Sequence, residues 1–235
     1  MKNRFTAFML IFFIAITAFA QDSNKMDAAG KRHGVWKGSY EKSKRPRYEG
    51  TFDHGKETGT FTFFEDDKTS TLAAKRTFDA DGSCTTVFFD AKGKKISEGK
   101  EVNKVREGEW KFYNEGTSTL LSTETYVKGK INGVKKVYLP TGKIAEEVTY
   151  ANDVMEGPYK QYNEKGTVLE ESVYKNGKLH GPAIYRDAKG DISAKGQFTD
   201  NKKTGKWQFF ENGKLVKEED LTNKKVQLAR KERKQ

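Results

Sequence analysis

The sequence predicts an all-β chain: tandem β-hairpin repeats forming one elongated, twisted, single-layer antiparallel sheet. Three observations carry this. An aromatic-rich hexamer recurs eight times at 24–25 residue intervals. Turn-forming Asn, Asp and Gly separate the halves of each unit. The composition, 34% hydrophobic and 33% charged, lacks the apolar mass of a thick core yet supplies 16 Phe, 10 Tyr and 3 Trp. With 22 Gly and only 4 Pro, this suits short strands and tight turns, not Pro-rich disorder.

The chain starts with Lys2 and Arg4, then an apolar run from Phe5 to Ala20 broken by Thr6 and Thr17. Ala18-Phe19-Ala20 ends it with small residues where a signal peptidase reads, and Gln21-Asp22-Ser23 is polar. This is the layout of a signal peptide over 1–20, cleaved between Ala20 and Gln21. The run is short of the ~20 residues a membrane span needs. No cysteine follows the cleavage point, which argues against lipid acylation. The expected location is therefore exported: periplasmic, cell-envelope or secreted. A short polar linker, 21–30, leads to the array.

The repeat array covers 31–220. Its units start at Gly34, Gly59, Cys84, Gly108, Gly133, Gly157, Gly181 and Gly205, as in GVWKGSY, GEWKFY and GKWQFF. Cysteine replaces glycine in the third. Side chains alternate along a strand, so Trp110 and Phe112 share one face, and Glu109, Lys111 and Tyr113 the other. Trp36 and Trp207 occupy the slot of Trp110. Each hexamer is followed by a turn such as Asp90-Ala91-Lys92-Gly93 or Asn163-Glu164-Lys165-Gly166, then an aliphatic residue (Ile96, Leu121, Ile144, Leu169, Ile192, Leu215). An aromatic or Val closes the second strand: Phe52, Phe78, Val102, Tyr126, Tyr150, Tyr174, Phe198. A helix is excluded because Gly or Pro interrupts about every ten residues. One hairpin is unstable alone. Stacked hairpins align equivalent aromatics into ladders.

Residues 221–235 leave the pattern and form a basic tail or capping helix, with Leu221, Leu228 and Ala229 at helical spacing. The mature chain carries 42 − 33 = +9. Of this, Lys224, Lys225, Arg230, Lys231, Arg233 and Lys234 against Glu232 give +5. The charge is largely a tail property, an electrostatic contact for anionic lipid or polymer. Export disfavours nucleic acid as the partner.

No catalytic, metal or cofactor residues are expected. His33, His54 and His180 show no ligand spacing, and His33 and His180 share a slot that also holds Thr, Ser, Glu and Asn. Cys84, the lone cysteine, falls on a repeat-start position and cannot form an intramolecular disulfide. There is no G-x-S-x-G, H-E-x-x-H or phosphate loop. The Glu/Lys mixture reads as a solvated face, and the aromatics as ladder residues.

The unit G-x-W-x-x-Y-x-x-x-G-x-L-x-x-x-x-x-Y-x-x-G-K, clearest in GEWKFYNEG (108–116), YKNGKLHG (174–181) and GKWQFFENGKL (205–215), resembles the MORN repeat in its divergent bacterial variant, labelled YwqK-type antitoxin. The resemblance covers roughly 31–219. It implies an elongated hairpin array making protein–protein or membrane contacts. The expected function is a non-catalytic protein-binding or scaffolding surface, without cofactor. The alternatives are a membrane- or envelope-polymer-associated protein using the tail, or an antitoxin-like protein. Export fits the last poorly.

Overall fold

The computed structural model describes residues 23–222. Among them lie nineteen strands and no helix: β1 Lys25–Met26, β2 Arg32–Ser39, β3 Pro46–Asp53, β4 Lys56–Phe64, β5 Leu72–Phe78, β6 Cys84–Phe89, β7 Lys95–Val102, β8 Val105–Tyr113, β9 Leu120–Val127, β10 Lys130–Ile131, β11 Gly133–Tyr138, β12 Ile144–Ala151, β13 Val154–Tyr162, β14 Val168–Lys175, β15 Lys178–Leu179, β16 Gly181–Arg186, β17 Ile192–Thr199, β18 Lys202–Glu211 and β19 Lys214–Asp220. The two-residue strands β10 and β15 run on into β11 and β16. With β1 they leave sixteen longer strands, two for each of the eight repeats. Each of these longer strands pairs antiparallel with the longer strand before and after it in one open sheet. Within the stretch 21–30, β1 pairs with β2. The signal-peptide residues, Ala20 and Gln21 included, and the tail cations Lys224, Lys225, Arg230, Lys231, Arg233 and Lys234 lie outside the described residues.

Two turn chemistries build the hairpins. Most links between repeats have two central residues at positive φ: His54-Gly55, Asn103-Lys104, Lys128-Gly129, Asn152-Asp153, Asn176-Gly177 and Asp200-Asn201. These are mirror-image turns whose twist matches that of the strands. Within repeats, Asp90, Asn163 and Asp187 take the turn differently. Each carbonyl accepts the N–H of the glycine three residues on, and each side chain accepts two further backbone N–H groups. Those donors hold the Asp90 carboxyl below the usual range.

The leading glycines are bulge residues. Lys100 faces Glu107 while the adjacent Gly99 faces Trp110, so Gly108 and Glu109 have no counterpart. Gly34, Gly59, Gly108, Gly133, Gly157, Gly181 and Gly205 all have φ between 63° and 114°, where a side chain is strained. Cys84 is the exception. Its φ is not positive, and β5 pairs with β6 without a register shift. The positive φ has moved to Gly82 in the loop before it.

All ten buried hydrophobic residues, from Phe52 to Trp207, share one face. Cross-strand pairs trace its middle row through Trp36, Gly50, Phe61, Arg76, Thr86, Gly99, Trp110, Glu124, Lys135, Val148, Tyr159, Ser172, Ala183, Gly196, Trp207 and Glu219. The opposite face runs Lys37, Glu49, Thr62, Lys75, Val87, Glu98, Lys111, Thr123, Lys136, Glu147, Lys160, Glu171. This is the solvated Lys/Glu face, its opposite charges placed side by side.

Candidate binding face

Each tryptophan of the middle row has its indole N–H satisfied and a cation above it. Beside the bulge at Gly108, Trp110 Nε1 donates to the Lys100 carbonyl at 2.9 Å. Trp207 does the same to Gln197 at 3.1 Å. Trp36, in the first hairpin, donates to Lys25 of β1 at 3.0 Å, so β1 stands in for a preceding repeat. Arg32 lies 4.7 Å from the Trp36 ring, Arg106 4.4 Å from Trp110, and Lys203 4.1 Å from Trp207. Each cation sits two residues before the leading glycine and each Trp two after: RHGVW, REGEW, KTGKW. The sequence reading missed this pairing, though the motif [RK]-x-G-x-W was there to find it.

The ring also needs space beneath it. A Cβ on Gly99 would lie 2.4 Å from the Trp110 indole, one on Gly196 2.3 Å from Trp207, and one on Gly50 2.4 Å from Phe61. These three glycines lie on the preceding strand and are distinct from the leading glycines. Trp110 and Trp207 end fully buried at 0% exposure, in a sheet with no second layer over it among the described residues. Tyr126 and Phe198 pack edge-on against them. Trp36, Tyr150 and Tyr174 are half-buried. The expected aromatic ladder is thus present around Trp36 to Phe78, Phe88 to Tyr126, and Tyr159 to Phe209.

The third repeat departs from expectation. Val102 was assigned the closing aromatic slot, but Cys84 faces Glu101 as Gly108 faces Tyr126. Glu101 holds the slot, and Val102 is exposed at the turn. Cys84 and Glu101 are paired at the same separation along the chain as Gly133 and Tyr150, Gly157 and Tyr174, and Gly181 and Phe198, one residue less than Gly108 and Tyr126. Glu101 is 7% exposed. It accepts from Thr86 Oγ1 at 2.8 Å and pairs with Arg76 at 3.2 Å. Cys84 lies beside it, its Sγ 3.8 Å from Glu101. Burial, and secondarily the Glu101 charge, push the Cys84 thiol up. A nucleophilic thiol needs the opposite environment.

A second polar stretch of the same face lies in repeats five to seven. Glu146 and Glu170 flank Gln161 across three strands, and Tyr185 faces Glu170. Tyr159 packs edge-on against Tyr174 at 5.7 Å. Burial first, then Glu146 and Glu170, push Tyr159 up to about 12. Burial and Glu170 do the same to Tyr185. Between Tyr159 and Ala183, the Ser172 hydroxyl is buried without a hydrogen-bond partner. Met155 takes the slot that carries the cation in the tryptophan repeats, so no side chain of that slot neutralises these rings.

The histidines divide. His180 Nδ1 is 3.5 Å from Asp200. His33 and His54, by contrast, meet each other and Asp53 at the turn between β3 and β4, their donor atoms all within 4.8 Å. No ligand spacing along the chain announces this group. The residues are brought together by stacking one hairpin on the next, which linear spacing does not reveal.

Among known families, the MORN repeat variant matches twice, at residues 131–152 and 155–176. These are the fifth and sixth hairpins of the array. No curated protein matches the chain. Among solved structures, one titled "Crystal Structure of TcdB2-TccC3-TEV" is similar over 83% of this chain at 8% identity and a TM-score of 0.20. This chain spans 12% of that one's length. A score that low relates neither the fold nor the function of the two.

Proposed function

We propose that this chain, two of whose hairpins match the MORN repeat variant, is an exported, non-catalytic protein that binds a protein partner along one face of its sheet. The partner meets it in the periplasm, at the envelope or outside the cell. The observation that carries this is the uncovered face in repeats five to seven. There Tyr159, Tyr174 and Tyr185 stand beside Glu146 and Glu170 without the intrinsic Arg or Lys that caps the tryptophan clusters. Tyrosine rings with carboxylates suit a partner segment bearing Lys or Arg. The edge strand among the described residues is a poorer surface. β19 carries Lys214, Lys217, Glu218, Glu219 and Asp220 in seven residues, a charge pattern that blunts strand addition.

The test is a pull-down from envelope extract with residues 21–235 at low and high salt, the captured species identified by mass spectrometry. One dominant protein surviving high salt supports recognition by the sheet. Lipid or polymer held only at low salt, and lost on truncation after Leu221, assigns binding to the tail instead. A cytoplasmic protein still carrying residues 1–20 would contradict export and favour an antitoxin-like role.

A further inference from the structure

We propose that His33, Asp53 and His54 form a binding site for a divalent transition-metal ion of the zinc class. Asp53 Oδ1 lies 3.5 Å from His33 Nδ1 and 3.8 Å from His54 Nε2. Donors about 2.0–2.2 Å from a tetrahedral zinc sit roughly 3.3–3.6 Å apart, so two of the three edges already have near-coordinating length. The third, between the two imidazoles, is within 4.8 Å and closes by a small ring rotation. The His33 ring is half-exposed and free to make it.

His54 is held from behind by Asp27. Its Nδ1 is 2.6 Å from Asp27 Oδ2. The other Asp27 oxygen accepts the N–H groups of Ala29 and Lys31 at 2.9 and 2.8 Å, which fixes the carboxylate behind the ring. The Asp27 contact leaves Nε2 as the ring nitrogen on the Asp53 side, 3.8 Å from Oδ1. A carboxylate behind a metal-ligating imidazole is the usual orienting partner. His33 Nδ1 also accepts a long, 3.4 Å hydrogen bond from the His54 backbone N–H. Metal at Nδ1 would replace it and leave that N–H to water.

Other repeats show what this corner does without a metal. Glu107 and Glu156, in the slot of His33, accept a backbone N–H of the next turn, from Lys128 at 2.9 Å and Asn176 at 2.6 Å. In the seventh repeat His180 faces Asp200, but Thr199 stands where Asp53 does, leaving two donors. Among the described residues, the three-donor set occurs at the first repeat alone. Two imidazoles and one carboxylate with an open fourth position suit zinc, and copper or nickel by their general preference for nitrogen.

The experiment is titration of the untagged full chain with zinc chloride in metal-free buffer, followed by calorimetry and by metal content after dialysis. One ion per chain, removed by EDTA, is expected. His54→Asn and Asp53→Asn should each weaken binding at least ten-fold, while His180→Asn leaves it unchanged. The three ligands are largely exposed, and circular dichroism of each variant verifies that the sheet persists. No uptake by the wild type, equal affinity in both variants, or an equal loss in His180→Asn would overturn the assignment and leave an adventitious ion only.

Discussion

The third and fourth repeats solve the same packing problem with opposite chemistry. In the fourth, Trp110 lies over Gly99, under Arg106, beside Tyr126. In the third, the corresponding positions hold Thr86, Arg76 and Glu101, joined by hydrogen bond and ion pair. Ring and glycine go together at Phe61/Gly50, Trp110/Gly99 and Trp207/Gly196, and where Arg76 replaces the glycine, Thr86 replaces the ring. A single-layer sheet has no second layer to absorb a volume error, so complementarity must be met between adjacent strands.

Substitutions in the two repeats should therefore differ in size. Trp110→Ala removes a fully buried ring and should cost about 3–5 kcal/mol. Thr86→Ala, at the same slot one repeat earlier, loses one hydrogen bond to a carboxylate and should cost about 1.5–3 kcal/mol. Denaturant unfolding of both measures the gap, and equal costs would remove the distinction. Gly99→Ala should cost about 1–3 kcal/mol, because the methyl meets the indole and forces it off its rotamer. A neutral or stabilising Gly99→Ala would mean that the glycine is not there for the ring.

The period, the strand count and the turns were legible in the sequence because Asn, Asp and Gly mark positive φ directly. The phase of the third repeat was not. Val102 fits a constant 24-residue spacing, but the connection within the hairpin varies in length between repeats, and in the third it brings Glu101, not Val102, opposite Cys84. Gly50, Gly99 and Gly196 went unread because their role lies across the sheet, not along the chain. His33, Asp53 and His54 escaped for the same reason: 20 residues apart in sequence, they converge only when hairpins stack.

A smaller effect is shared by the tyrosine repeats and the fourth, aromatic–cation repeat. Burial and adjacent carboxylates push Tyr113, Tyr126, Tyr159, Tyr162 and Tyr185 up to about 12, from 10.0. Tyr113 and Tyr162 donate to Glu98 and Glu147 on the polar face. Since the folded values are raised, this stability is complete below pH 10 and is lost as pH climbs from 10 to 12. Thermal melts across that window should show a falling Tm, shallower in a Glu98→Gln, Glu147→Gln variant. An unchanged slope would separate the tyrosines from their carboxylates.

The most direct test of face recognition compares capture of the envelope partner by variants on the two sides of the sheet. Glu146→Gln with Glu170→Gln alters the tyrosine face, and Lys136→Gln with Lys160→Gln the polar one, both with the fold verified by circular dichroism. Capture at high salt should fall sharply in the first pair and persist in the second. Loss in the second pair alone would place recognition on the charged face and contradict the account.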